Sequence, residues 1–217
     1  MTDAIAAAIR REVAALRAEL AAYPDDASCF RAVPGMPNSG GTLALHCAGN
    51  LRHFVGHVLG GSGYVRDREA EFAARDVPRP VIDAALDAAA REASEALLRL
   101  DVARLDEPWP GPLPEGLRYS VRTFLQHLTS HLAYHLGQAD YHRRVVTGES
   151  RGVGALAIGG LTDVPAPVTG TVSYEVTATV REELMPEYLA WLVPGHVRDV
   201  VATGCFLRAS VTQLDAH

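Results

Sequence analysis

FLQHLTSHLAYHLGQADYHRR, residues 124–144, is the stretch that decides the fold. His127, His131, His135 and His142 recur at spacings of 4, 4 and 7, which lays them along one side of a helix running from about Val121 to Val146. Gln138 and Tyr141 stand between them, and Gly148 closes the helix. Upstream, LALHCAGNLRHFVG (43–56) belongs to a second helix, from about Thr42, a candidate cap, to Leu59. There His46, Asn50, His53 and His57 follow at 4, 3 and 4 and again share a side. Imidazoles at i and i+4 stand about 5–6 Å apart at Cβ, so two can reach one ion at roughly 2.0–2.1 Å. A third from a facing helix completes a three-histidine site with positions left open for a guest. A solvated polar face, or core histidines bonded to backbone, would carry the same spacing. Two interior helices that each bear a stripe favour the metal. His53, His57 and His142 read as surface groups or as supports behind the ligands.

Working outward, residues 2–22 predict a first helix with Ile5, Ile9, Val13, Leu16 and Leu20 on one stripe and Arg and Glu on the other faces. RAVPGMPNSGG (31–41) reads as a loop, and YVRDREAEFAARDVPRP (64–80) as a polar connection. A third helix is expected from about Pro80 to Leu100, with Val81, Ala85, Leu86, Ala89, Ala93, Ala96, Leu97 and Leu100 facing inward. EPWPGPLPEG (107–116) holds too many prolines to be helical. Four amphipathic helices with no strand signal among them predict a mainly α protein, a four-helix bundle over residues 1–148.

Beyond Gly148 the composition shifts. Residues 149–170 are Gly- and Pro-rich and read as a linker. TVSYEVTATV (171–180) and GCFLRASVTQL (204–214) read as strands flanking a helix over 182–200 that is interrupted near Pro194-Gly195. This strand–helix–strand tail, residues 171–217, is too small to hold a core alone.

Composition narrows the chemistry. Every basic residue is Arg, which excludes a P-loop lysine, a lysine Schiff base and a kinase-type lysine. The net charge of −6 carries no basic face for nucleic acid. No apolar run approaches the ~18 residues of a membrane span, and the opening residues do not read as a signal peptide. Three cysteines without a CxxC pair point to a reducing, cytoplasmic setting. Cys47, about 100° round the helix from His46, reads as core rather than ligand. GESRG (148–152) fits G-x-S-x-G, but a helix precedes it where a strand is needed. GVGALA (152–157) lacks the strand and helix of a dinucleotide site.

The two histidine helices resemble those of the DinB-like superfamily. The 124–144 stretch is similar to its last bundle helix, with His-x-x-x-His-x-x-Gln, and 43–56 to the helix that supplies its first histidine. The resemblance covers residues 1–148 and implies a metal triad of His46, His131 and His135. Asn50, His53, His127 and Gln138 then stand around the triad, as residues that hold the ligands or orient a guest. It further implies a divalent ion, zinc or nickel. It extends to thiol S-transferase or isomerase chemistry with a low-molecular-weight thiol such as bacillithiol or mycothiol and a small-molecule substrate. The alternative is a non-catalytic bundle that binds metal or senses a small molecule. Residues 174–206 resemble the first half of a small ferredoxin-like domain of unknown function, with Trp191, His196, Thr203, Gly204 and Phe206 at its marked places. Either that domain is truncated here or its sheet is completed by a partner; completion by a second copy gives the expected homodimer. Trp191 and His196 themselves read as packing and capping groups.

Overall fold

The computed structural model describes residues 2–153, 176, 178–199 and 211. The chain divides into two compact units, Met1–Ala166 and Pro167–His217. The first unit is built on α1 (Thr2–Ala21), α2 (Gly40–Leu51), α3 (Arg68–Ala73), α4 (Arg79–Arg99) and α5 (Val121–Thr147). α1 packs between α4 and α5, and α2 packs between the same two from the other side, so α1 and α2 stand nearly diagonal. This is a four-helix bundle, with the short α3 laid against α2.

The apolar stripes form its core. Ile9, Val13, Leu16 and Leu20 of α1 meet Leu86, Ala89, Ala93 and Leu97 of α4 and Leu125, Leu128, Leu132 and Leu136 of α5 in one buried cluster. Alanine on α4 allows close helix approach, and leucine opposite fills the space. Two details differ from the sequence reading. Ile82, not Val81, is buried, because the period through Leu86, Ala89 and Ala93 runs back to 82 and leaves Val81 half exposed. Glu12 and Glu19 of α1 are buried rather than solvated, and Glu19 is paired with the equally buried Arg143 of α5.

Helix ends follow sequence chemistry. Ser39, not Thr42, caps α2: its hydroxyl accepts from the Thr42 N–H at 3.2 Å. Ser120 caps α5 in the same way, and Gly148 ends it in the left-handed conformation, φ 73°. Past Leu51 the second helix continues to Leu59, as expected, but as a π-helix over Arg52–Leu59. A helix wound with i→i+5 bonds turns its side chains away from an α-helical stripe.

In the second unit, Glu182–Leu184 forms a 3₁₀ turn, α6 spans Met185–Trp191, and a π-helix follows over Leu192–Val197. The interruption expected at Pro194-Gly195 takes the form of that π stretch. Trp191 stacks on His196 with ring centroids 4.8 Å apart. Most of the two expected strands lies outside the described residues. Val176 and residues 178–180 carry no strand, and among the described residues only isolated β-bridges occur.

Candidate metal centre

α2 and α5 face each other across the bundle, and the histidines on their facing sides meet. His46 Nε2 lies 3.4 Å from His131 Nε2, which lies 3.1 Å from His135 Nε2. The three ligand atoms all fall within 4.8 Å of one another. A tetrahedral ion with bonds of ~2.0–2.1 Å holds its nitrogens roughly 3.3–3.4 Å apart, so the spacing fits.

Hydrogen bonds behind the rings orient two of them and fix the tautomer of His135. Gln138 Oε1 lies 2.7 Å from His135 Nδ1 and can only accept, so Nδ1 carries the proton and Nε2 is bare. His46 Nδ1 stands between Glu71 Oε2 and Arg66 Nη2, each at 3.1 Å, so a carboxylate and a guanidinium together hold this ring from behind. Glu71 is itself gripped by Arg66, which donates from Nε to Oε1 at 2.8 Å and from Nη2 to Oε2 at 2.7 Å. Burial pushes the Glu71 carboxyl up, but the Arg66 and His46 hydrogen bonds outweigh it and hold the group below its usual range. Three ring nitrogens thus converge, and a cation placed among them would serve all three.

Burial, then the neighbouring His135 and His46, push His131 down to about 4, and burial also lowers His135 against the opposing Gln138 bond. These rings stay neutral, the form that ligates metal. Gly49 gives the brace its room. A Cβ there would sit 2.6 Å from Glu71 Cδ and closer still to Oε1, so only glycine admits the α3 carboxylate against α2.

The other expected residues stand apart from the three rings. His53 lies on the π stretch, packed on Phe54 and beside His57, with its Nδ1 enclosed and without a partner among the described residues. His127 is exposed, its ring 5.9 Å from that of His131, and His57 is exposed. Asn50 is buried one turn beyond His46. His142 is neither a surface group nor a support for the ligands. It is a core histidine, only 1% exposed, whose Nδ1 accepts from the Gly40 N–H and Tyr23 hydroxyl and whose Nε2–H donates to the Arg31 carbonyl. Asp140 is engaged by Arg143 and Arg144, and Cys47 is sealed in the core with its thiol pushed up to about 12 by burial.

Sequence reasoning missed Arg66, Glu71 and Phe72, whose ring lies 4.7 Å from that of His46. All belong to α3 or its approach, read as a plain polar connection. Asp67, whose carboxylate accepts from the Ala70 N–H, was the available sign of a helix start.

Two kinds of surface flank the rings. On one side Phe54, Trp109 and Phe124 form an aromatic cluster, with Trp109 and Phe124 centroids 4.2 Å apart. On the other, Gly35, Met36, Pro37, Asn38, Leu43, Gln138 and Tyr141 line a cavity of about 170 Å³ that carries no formal charge.

No curated protein and no solved structure matches the chain. A family model does, that of Mycothiol-S-transferase, over residues 4–148, the span of the bundle with all three converging histidines. By that match over most of its length the chain belongs to the mycothiol-S-transferase family, a DinB-like metal-binding family.

Proposed function

We propose that the protein is a metal-dependent thiol S-transferase, with His46, His131 and His135 as ligands of one divalent ion, zinc or nickel. The observation that carries this is the convergence of three imidazoles within 4.8 Å on the helices that the family model covers. When bound, the ion supplies Lewis acidity that deprotonates a coordinated thiol. The chain's own residues do the rest. Glu71 and Gln138 hold two of the rings from behind, with their Nε2 atoms turned to the cluster. The thiol proton leaves to solvent, sulfur bonds to the electrophilic carbon, and the leaving group departs with its electron pair. Asp140 is tied in ion pairs, and Glu71 is committed to Arg66 and His46. With neither carboxylate free as a general base, the groups around the rings favour a thiol, activated outright, over hydrolysis. The uncharged cavity beside Gln138 offers space for the body of a neutral small molecule.

The test is turnover of a chromogenic electrophile with mycothiol, with and without chelator. Chelator-sensitive thiol consumption supports the reading; metal binding without turnover favours a binding or sensing bundle.

We infer further that a reducing cytoplasm is the setting, since Cys29 and Cys47 are buried and free. Among the described residues no helix is long and apolar enough to cross a membrane. We also infer that the second unit serves homodimerisation, which the half-exposed Trp191 and Val193 support. An unchanged sedimentation mass after deletion of residues 171–217 would overturn that.

A further inference from the structure

We propose that Asn50 is a ligand-binding residue of the centre, one that hydrogen-bonds the sulfur of the incoming thiol; this rests on the thiol-transfer reading above. Asn50 is 7% exposed, yet its carboxamide has no hydrogen-bond partner among the described residues. A buried carboxamide that no protein group pairs is completed from outside the chain, by water or by a ligand that displaces it. Neither of its polar atoms is among the fully enclosed unpartnered ones, so both keep a thread of solvent access.

Its position says what that ligand is. Asn50 lies one turn beyond His46, about 40° round the helix from it. The residues a turn before and a turn after both meet α5: His46 at His131 and His135, and Phe54 at Phe124. Asn50 therefore looks across to α5 from between the imidazole cluster and the aromatic cluster. Arg66 and Glu71 are closed on each other and on His46, and Gln138 is spent on His135. Among the described residues between the two clusters, Asn50 is a buried hydrogen-bonding group that remains uncommitted. Its Nδ2 hydrogens suit an anionic acceptor such as a thiolate, and a hydrogen bond to a charged acceptor is stronger than one between neutral groups.

The experiment compares wild type with Asn50→Leu, close in volume and apolar, and Asn50→Asp. Each is loaded with Co(II) and titrated with 2-mercaptoethanol, and the near-ultraviolet sulfur-to-cobalt band is followed; melting temperature and cobalt stoichiometry are measured alongside. The expected result for Asn50→Leu is unchanged cobalt content, an equal or higher melting temperature, and thiol affinity weakened by on the order of 10–100-fold. Asn50→Asp, which sets an anion beside the sulfur, binds thiol at least as weakly. Wild-type thiol affinity in Asn50→Leu overturns this role alone. A fall in its melting temperature with loss of cobalt shows that Asn50 is structural, which also overturns it. No sulfur band in the wild type removes the thiol-transfer reading and this role with it.

Discussion

Replacing Gly49 with alanine separates the brace behind His46 from everything else in the bundle. A glycine inside a helix costs roughly 0.5–1 kcal/mol relative to alanine, so Gly→Ala on α2 should stabilise the fold if nothing stood in the way. Something does: the new Cβ would lie 2.6 Å from Glu71 Cδ and overlap Oε1. The obstacle is the far end of a flexible side chain, so Glu71 swings aside and the fold survives. The 3.1 Å contact to His46 Nδ1 does not. Loss of such a support behind a ligating histidine typically weakens metal binding 10–100-fold, or about 1.4–2.7 kcal/mol. Gly137 supplies the control. It lies mid-helix in α5, between His135 and Gln138, and a Cβ there would meet nothing within 4 Å. Gly137→Ala should raise the melting temperature by about 1–4 °C and leave metal affinity alone. Competition titration of zinc against a chromogenic chelator reads both variants. Equal zinc affinity in Gly49→Ala and wild type would refute the claim that Glu71 orients His46.

Three further outcomes are expected. His131→Ala and His135→Ala should each lower bound metal far more than His57→Ala, which alters an exposed ring outside the cluster; elemental analysis of the three variants checks this. Arg143→Met should destabilise the bundle by about 3–5 kcal/mol, because it strands Glu19, which is 0% exposed, as an unpaired carboxylate; the double variant with Glu19→Leu should recover most of the loss in thermal melts. Acidification should weaken the fold in part through His142. Burial lowers its folded-state pKa below 6.5, so the unfolded chain takes up the proton first and stability falls as pH drops from about 6.5 towards that lowered value. His142→Phe should therefore melt lower at pH 7.5 and yet lose less than wild type between pH 7.5 and 5.

The pairing of His131 with His135 is written in local spacing, because i and i+4 on a long α-helix share a face whatever surrounds it; that His46 joins them is implied by the family resemblance. The bundle itself is legible for the same reason, in stripes such as Ile9, Val13, Leu16 and Leu20. What spacing cannot carry is a change of helical period. The π stretch from Arg52 breaks the pattern that grouped His53 and His57 with His46. Nor does a period say what lies opposite a face. His142 is two turns from His135 on the same stripe, but there the stripe runs under Tyr23 and the Arg31 carbonyl. Glu71 and Arg66 escaped because a six-residue helix has too few turns to show amphipathicity, and its acids look solvated until partnered. Gly49, a glycine inside the helix three residues after His46, and the Asp67 cap were the visible hints.

The central claim is met most directly by elemental analysis of the untagged protein, purified without a nickel column. The account predicts about one zinc or nickel ion per chain, released by chelator and absent from His131→Ala. Protein that emerges metal-free, and fails to take up zinc when it is offered, would contradict it.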